Sequence, residues 1–262
     1  MKIYIATHKL ITTLPQEKCY VPLEVGADIN PPLPYLKDNT GDNISSKNRN
    51  FCELTGHYWI WKNSDEDIVG VEHYRRYFVT NTGYIIKLLT GHNIRFLSEK
   101  QIRKDLSTHD AIVSTKGHSP KVLGNLIEAY AGSHHKKDII ETRKIIGVLF
   151  PEYAKTFDDV FSQLVFYPAN MIICKKEIFD NYCSWLFPIL FELEKRIDIS
   201  NYTDYQKRVF GFIAERIFRV WLIHNNLKLK ERHIINTEDK SIFKIAQKEI
   251  KRYFAIKNGK KI

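Results

Sequence analysis

The sequence predicts a single α/β domain, and three observations lead to that prediction. Its 262 residues are many for one domain and few for two, and 44% of them are hydrophobic, enough for a sizeable core. Short apolar runs alternate with segments of helical periodicity, an order typical of α/β proteins. No linker rich in glycine, serine or proline, internal repeat or low-complexity tract divides the chain.

Hydrophobic periodicity defines the individual elements. Apolar residues at intervals of three and four predict helices, whereas short continuous apolar runs predict buried strands. Residues 30–43 are polar and contain prolines, which indicates a loop before the first helix. Ser45 or Ser46 is the expected N-cap of that helix. The predicted strands are residues 3–6, 20–27, 67–74, 111–114, 170–174 and 227–235, and the predicted helices are 48–62, 121–131, 137–149, one from 176 interrupted by Pro188, 204–225 and one from 241.

The most informative segment is the apolar run at residues 68–71 and the polar residues that follow it. Residues 73–78 contain a histidine, two tyrosines and the adjacent arginines Arg75 and Arg76. Ligands of open α/β sheets bind at the carboxyl ends of strands, and two guanidinium groups there can hold a phosphate through forked hydrogen bonds. The alternative is that the arginines are solvated and the tyrosines pack at a sheet edge.

The charge balance favours anionic partners. The net charge is +10 and the pI about 9.3, which suits nucleic acid, an acidic membrane surface or phosphorylated substrates. Much of the excess lies after Lys244 rather than in a central groove. The chain has no helix-turn-helix pattern, no zinc-ligand spacing and no aromatic RNA-binding strand, so nucleic acid is not an expected partner.

Cysteine usage and hydropathy indicate the compartment. The four cysteines form no CxxC pair and lie among apolar or aromatic neighbours, as reduced core cysteines do. The first residues are too short and too strand-like for a signal peptide, and no run approaches the ~20 apolar residues of a membrane span. We therefore expect a cytoplasmic protein.

Two regions are expected in the chain. Residues 1–240 form the main domain, and residues 241–262 form a basic amphipathic C-terminal helix. Such a helix suits peripheral binding to an anionic membrane on the inner face of the plasma membrane. It suits equally a helix that packs on the domain and exposes its lysines.

Several short runs carry a family resemblance that covers about residues 2–235. These runs are residues 5–9, 25–27, 41–44, 58–63, 73–78, 133–135, 170–171 and 210–216. In this order they resemble a bacterial family of capsular and lipopolysaccharide glycosyltransferases, long described only as a domain of unknown function. Some members of that family are galactofuranosyltransferases. The most specific parts are His-Tyr-Arg-Arg-Tyr-Phe at 73–78 and Phe-Ile-Ala-Glu-Arg at 212–216.

The resemblance implies a nucleotide-sugar-dependent transferase. Its expected fold is GT-A-like, with a mixed, mainly parallel sheet and a helical C-terminal part. The enzyme would transfer a hexosyl unit, galactofuranose or galactose, from a UDP-sugar to a growing surface polysaccharide. The expected acceptor is a lipid-linked oligosaccharide. The alternatives are a basic nucleic-acid-binding protein and a non-catalytic component of a polysaccharide assembly complex.

Donor-binding residues are expected at two places. Thr7, His8 and Lys9 follow the first strand, a position that commonly meets the nucleotide, although an ordinary polar turn is the alternative. Asp42 and Asn43 either hydrogen-bond the base or ribose or simply make a turn.

Phosphate contacts are expected from cations rather than from a metal ion. Lys47 lies where a helix amino terminus can meet phosphate. His73, together with Arg75 and Arg76, occupies the strand end where a metal-binding Asp-x-Asp motif would be expected. Residues 65–67 have that pattern in letters but precede the strand, so they are more simply solvated turn residues. We expect no cofactor, and a divalent metal such as Mn or Mg is the alternative not favoured.

Three residues are candidates for the base that an inverting transfer needs. Glu215 lies on an otherwise apolar helix, where a carboxylate is costly to bury unless it is paired or functional. Its neighbour Arg216 does not share its helix face and is not an obvious partner. His134 has a side chain suited to proton transfer near neutrality. Asp204 precedes a helix and is most simply its N-cap.

Acceptor contacts are expected from histidines and one tryptophan. His134 and His135 either bind acceptor hydroxyls or form a solvated turn between helices. Trp59 is the best candidate for an exposed stacking residue because it points away from the apolar face of its helix.

Overall fold

The computed structural model describes residues 1–91 and 93–239, in which helices pack on a mixed eight-stranded sheet. The strands are β1 Lys2–Thr7, β2 Tyr20–Glu24, β3 Leu36–Lys37, β4 Ile68–His73, β5 Arg76–Val79, β6 Ala111–Ser114, β7 Gly117–His118, β8 Val165–Phe166, β9 Ile172–Lys175 and β10 Leu229–Asn236. The helices are α1 Asn48–Phe51, α2 Leu54–Asn63, α3 Asn81–Thr90, α4 Glu99–Leu106, α5 Leu126–Ala131, α6 Lys136–Leu149, α7 Ala154–Phe161, α8 Lys176–Arg196 and α9 Val209–His224.

The sheet has a parallel half and a mixed half. Its strand order is β3-β2-β1-β4-β5-β10-β6-β9, and β9 also pairs with β4. Strands β3, β2, β1 and β4 run parallel, whereas β5 and β9 are antiparallel to their neighbours. The predicted α/β class with a mixed sheet is confirmed, but parallel pairing dominates only in the first half.

The strand that carries the arginine pair does not end freely. His73 is the last residue of β4 and pairs with Arg76, the first residue of β5. Tyr74 and Arg75 therefore form a two-residue hairpin turn. The sequence analysis expected both arginines beyond one strand end, whereas Arg75 lies on the turn and Arg76 in the next strand.

Backbone conformation divides the first predicted helix. Cys52 adopts a φ of +54°, so residues 48–62 form the separate helices α1 and α2. Neither Ser45 nor Ser46 caps them, because Ser45 donates its hydroxyl to Asp38 instead. By contrast, α8 continues through Pro188, where an interruption was predicted.

The core lies on both faces of the sheet because strand side chains alternate between them. On β1, Tyr4 belongs to the larger cluster, which contains helices α2, α6, α8 and α9, whereas Ile3 and Ile5 belong to the smaller one. Phe51 stacks on Phe210 with 4.5 Å between ring centroids, which joins α1 to α9. Such a pair contributes about 0.5–1.5 kcal/mol beyond its buried area.

Two sequence predictions concern cysteines and the C-terminal helix. All four cysteines are free thiols, and three of them are buried. The helix predicted from residue 241 lies outside the described residues. Within the described part, no helix combines the length and apolar character needed to cross a bilayer.

Candidate active site

A cavity of about 760 Å³ opens at the carboxyl ends of β1 and β4. From β1 the chain adds β2 and β3 on one side, whereas β4 lies on the other side of β1. The strand order therefore reverses between the parallel strands β1 and β4. Such a switch point leaves a crevice, because the connections leaving the two strands run in opposite directions. The fold therefore creates this cavity where α/β proteins bind ligands.

One wall of the cavity, the strand wall, consists of residues that follow β1 and β4. Three of its side chains contact the Tyr74 ring, and the His8 ring lies edge-on to it at 5.4 Å between centroids. Lys9 Nζ lies 5.5 Å from the same ring, and the guanidinium carbon of Arg75 lies 5.4 Å from it. The ring thus gathers two cations by cation–π attraction at the tip of the hairpin.

Thr7 shapes this wall without lining it. Its side chain is fully buried, and its hydroxyl donates to the Lys9 carbonyl at 2.5 Å. The same oxygen accepts the Lys9 backbone N–H at 3.0 Å. These bonds fix the turn that directs His8 and Lys9 to the cavity.

The predicted arginine pair lines the cavity. Arg75 forms a 3.0 Å ion pair with Glu238, in which both side chains are at least one-third exposed. A pair of that exposure contributes only about 0–1 kcal/mol, so it does not prevent Arg75 from meeting another anion. Arg76 forms no ion pair with any residue that the structure describes.

The opposite wall, the helix wall, consists of residues of α1 and just after it, the turn at 168–170 and the start of α9. It contributes cations that the sequence analysis did not identify as ligand-binding residues. Arg208 precedes α9, donates from Nε to Cys52 Sγ at 3.1 Å and lies over the Phe212 ring at 5.4 Å. Burial first, then the charges of Lys9, Arg75 and Arg208, lower the pKa of His8. The charge of Arg208, on the helix wall, therefore influences His8 on the strand wall. The cationic lining residues are Lys9, Arg49, Arg75, Arg76, Arg208 and Arg216, against the carboxylates Glu53 and Glu215.

A carboxylate and an imidazole meet at the cavity. Burial, followed by the charges of Arg76 and Arg75, lowers the pKa of His73 to about 4 despite the opposing effect of Glu53. His73 is therefore neutral at neutral pH. Burial alone would raise the pKa of Glu53, but the hydrogen bond that Asn170 donates to the carboxylate favours the charged form, and the pKa falls below the usual glutamate value. Glu53 is therefore ionised.

A strained turn forms the edge of the helix wall. Ala169 has a φ of +80° and Asn170 a φ of +48°, and Cys52, also at the cavity, has a φ of +54°. Positive φ costs these residues of order 1–3 kcal/mol each unless the surroundings enforce it. The turn is enforced by Glu215 Oε2, which accepts the Ala169 N–H at 2.7 Å.

Glu215 has a second partner that corrects the sequence interpretation. Its Oε1 accepts a 2.7 Å hydrogen bond from Arg216 Nη1, although the two residues are adjacent in the helix. The long arginine side chain reaches back to its neighbour. Glu215 is thus paired, and both of its oxygens are engaged.

An aromatic rim borders the helix wall. The His134 ring lies 4.2 Å from the Phe212 ring and 5.8 Å from the Tyr205 ring, measured between centroids. Burial, then Arg216 and His135, lower the pKa of His134 to about 4. His134 therefore faces the cavity as a neutral ring.

Four buried polar atoms along the cavity lack hydrogen-bond partners among the described residues. They are His73 Nε2, His134 Nδ1, Asn170 Oδ1 and Arg216 Nε. Buried polar groups are almost always hydrogen-bonded, so unpaired ones in a cavity wall indicate a site for a polar ligand or ordered water.

Several predicted donor residues lie away from the cavity. Asn43 Oδ1 accepts the Ser45 N–H at 3.1 Å, which is the turn alternative. Asp42 accepts from the Tyr58 hydroxyl at 3.1 Å. Lys47 Nζ pairs with Glu194 at 2.7 Å. These local partners explain why the three residues are not brought to the cavity.

Three predicted acceptor or catalytic residues also lie elsewhere. Trp59 is 7% exposed and donates Nε1–H to the Thr40 carbonyl at 3.0 Å, so the expected exposure is wrong. His135 bonds Gln206 Oε1 at 3.0 Å and does not line the cavity. Asp204 is fully exposed, 3.9 Å from Lys207, and α9 begins only at Val209.

Acidic residues 65–67 line a separate, smaller cavity. Glu66 pairs there with Lys2 and with the amino-terminal ammonium. In residues 1–91 and 93–239, no three histidine, cysteine, aspartate or glutamate side chains are arranged to hold a metal ion.

The strand order and the cation-lined cavity define an α/β protein with a cationic cavity at its switch point. A family model described as domain of unknown function DUF4422 matches residues 2–226, and the chain belongs to this family. The structure is also similar to the apo structure of WbbM, a bifunctional glycosyltransferase, with a TM-score of 0.81 and 32% identity. That match covers 91% of this chain and 45% of WbbM, so the chain spans about half of that protein. No curated protein matches the sequence significantly.

Proposed function

We propose that the protein is a glycosyltransferase that moves a hexosyl unit from a UDP-sugar to a glycan. The observation that supports this most is the cavity at the ends of β1 and β4, where cations outnumber carboxylates. A departing nucleoside diphosphate needs such positive charge. The similarity to WbbM, at 32% identity over 91% of this chain, supports the same class of reaction.

The donor diphosphate binds the strand wall in this proposal. Arg75, Arg76, His8 and Lys9 contact it, and Arg208 reaches it from the helix wall. Guanidinium groups can neutralise the charge that develops on the leaving UDP, as cationic clamps do in phosphoryl transfer. We favour a reaction without a cofactor, and a divalent metal such as Mn or Mg remains the alternative to test.

The parallel strands β3-β2-β1-β4 form the nucleotide-binding half of a GT-A-like fold in this proposal. The carboxyl end of β2 reaches the cavity at Val25, which leaves space for the nucleoside beside β1. The aromatic rim of His134, Tyr205 and Phe212 then lies on the acceptor side. Aromatic faces flanked by polar groups suit sugar rings.

The transferred sugar is galactofuranose or galactose, and the acceptor is a lipid-linked oligosaccharide of a surface polysaccharide. The enzyme works in the cytoplasm, where the basic residues 241–262 contact the anionic inner face of the plasma membrane. These assignments rest on the family resemblance and the charge of that segment.

The direct test is nucleotide binding followed by turnover. UDP should raise the melting temperature by mass action, and UDP-galactose or UDP-galactofuranose should release UDP, each measured with and without Mn²⁺. Binding of nucleic acid that survives neither moderate salt nor competition by UDP would be nonspecific. A protein that binds no UDP-sugar and releases no UDP would contradict the proposal and favour a non-catalytic assembly component.

A further inference from the structure

We propose that Glu53 is the catalytic base that deprotonates the acceptor, and that Glu215 and Asn170 are positioning residues for it. This assignment rests on the proposed glycosyl transfer. It differs from the sequence prediction, in which Glu215, His134 and Asp204 were the candidates and Glu53 was not considered.

Glu53 presents one held oxygen and one available oxygen. Oε1 accepts a 2.7 Å hydrogen bond from Asn170 Nδ2. Apart from Asn170 and the residue's own backbone N–H, no described residue hydrogen-bonds the carboxylate, and the Glu53 side chain lines the cavity. A base needs this combination, because a fixed carboxylate with a free lone pair can accept a proton from a bound hydroxyl.

Glu215 lacks an available oxygen. Oε1 accepts from Arg216 Nη1 and Oε2 from the Ala169 N–H, both at 2.7 Å. Proton uptake at either oxygen would break a short, charge-assisted bond. Asp204 is fully exposed and does not line the cavity.

Glu215 instead fixes the turn that holds Glu53. Its bond to the Ala169 N–H enforces the positive φ of +80° at Ala169. Asn170, the next residue, donates to Glu53 Oε1 at 2.7 Å and to the Gly211 carbonyl at 3.1 Å. Its own carbonyl lies 3.0 Å from His57 Nε2. The chain of contacts from Glu215 through this turn to Glu53 is therefore continuous.

Glu53, on the helix wall, also faces groups of both walls. Arg208 attracts it from the start of α9, and His73 lies within electrostatic range of it at the end of β4. A donor diphosphate held by the arginines would thus place its sugar near this carboxylate. Such proximity is what a base needs in order to reach the attacking hydroxyl.

The step balances as a single displacement. The acceptor oxygen forms a bond to C1 of the donor sugar while the bond from C1 to the diphosphate oxygen breaks. The electron pair of the broken bond leaves with UDP, and the hydroxyl proton moves to Glu53 Oε2. A single displacement inverts the anomeric configuration, so the assignment also implies an inverting enzyme.

The test compares glutamate-to-glutamine variants with water as the acceptor. Glu53→Gln keeps an oxygen for Asn170 but removes the basic lone pair and the charge. We expect UDP release from UDP-galactose or UDP-galactofuranose to fall about 100-fold or more. UDP affinity, measured by calorimetry, should change no more than about twofold. Glu152→Gln, at an exposed site, should behave as the wild type.

Two further variants separate chemistry from folding. Glu53→Asp keeps the charge but shortens the side chain. It should release UDP more slowly than the wild type but faster than Glu53→Gln. Glu215→Gln keeps an acceptor for Ala169, so it should lose less activity than Glu53→Gln and lower the melting temperature more.

The measured rates of UDP release distinguish a failure of the base assignment from a failure of the proposed function. A Glu53→Gln enzyme that releases UDP at more than a tenth of the wild-type rate would overturn the base assignment while leaving glycosyl transfer intact. Release of a sugar with retained anomeric configuration would also overturn it. A wild type that releases no UDP would overturn the proposed function, and the base assignment with it.

Discussion

The two walls of the cavity differ in how the chain builds them. The strand wall comes from short segments that directly follow β1 and β4, so each of its residues is one to three positions from a strand end. The helix wall joins α1 and the residues just after it to the turn at 168–170 and the start of α9, both of which lie more than 100 positions further along the chain. The strand wall is a product of local sequence, whereas the helix wall is a product of tertiary packing.

The walls also differ in backbone strain and in proposed role. The non-glycine residues with positive φ at the cavity, Cys52, Ala169 and Asn170, all belong to the helix wall. The strand wall has none of these. Strain of this kind persists where the surroundings over-determine a geometry. We therefore expect the strand wall to act mainly in donor binding and the helix wall to hold the proposed base in place.

The largest expected effect breaks the strand wall. Replacing both Arg75 and Arg76 by alanine removes two charge-assisted contacts to the diphosphate and should weaken UDP binding about 100-fold or more, as measured by calorimetry. The fold should survive, because Arg75 has only an exposed ion pair.

A double variant of Arg103 and Arg196, both in exposed ion pairs, is the matched control. It removes the same charge from elsewhere and should keep UDP affinity within about twofold. Equal losses in the two double variants would mean that only overall charge matters.

The next effect concerns the helix wall. Asn170→Ala removes hydrogen bonds to Glu53 and Gly211 and leaves alanine at a φ of +48°. We expect a loss of about 2 kcal/mol in the free energy of unfolding, measured with urea. Asn170→Gly removes the same bonds but tolerates the positive φ, so it should be about 1 kcal/mol more stable than the alanine variant. Equal stability of the two variants would show that the positive φ at residue 170 causes no backbone strain.

The third effect is a dependence of stability on acid pH that comes from His73 at the end of β4. Burial, then Arg76 and Arg75, lower the pKa of His73 to about 4 in the folded protein, against about 6.5 when unfolded. The unfolded chain therefore binds a proton first, and stability falls as the pH drops from 6.5 towards 4. His73 should contribute about 2 kcal/mol to this loss between pH 7 and pH 5. His73→Gln should show a shallower acid dependence in urea unfolding, and an unchanged slope would contradict a buried neutral imidazole.

The smallest effect is expected outside both walls. Lys47 pairs with Glu194 at the surface and Asp204 is fully exposed, so Lys47→Ala and Asp204→Ala should leave UDP affinity and UDP release within about twofold of the wild type. A tenfold loss in either variant would extend the site beyond the cavity described here.

Local sequence sufficed for the strand wall. Apolar runs that end in polar residues predicted β1, β4 and the placement of His8, Lys9 and His73, and the cavity contains all three. The pattern did not reveal the hairpin, because the two turn positions are Tyr74 and Arg75 rather than the glycine or asparagine usual in such turns. Arg76 was therefore expected beyond the strand end rather than in β5.

Local sequence did not suffice for the helix wall. Glu53 lies inside a stretch of continuous helical periodicity, and nothing in that stretch signals the positive φ at Cys52 that separates α1 from α2. The contact between Asn170 and Glu53 spans 117 positions. Asp42 and Asn43 were predicted from residue type and Lys47 from its place at a helix start, but other partners engage them. The Tyr58 hydroxyl bonds Asp42, the Ser45 backbone N–H bonds Asn43, and Glu194 pairs with Lys47.

The central claim is that the cavity between β1 and β4 binds a nucleoside diphosphate through its arginines. A crystal structure of the protein soaked with UDP tests it most directly. We predict diphosphate oxygens within about 3 Å of the Arg75 or Arg76 guanidinium. UDP bound elsewhere on the protein, with both guanidinium groups free of phosphate, would contradict the claim.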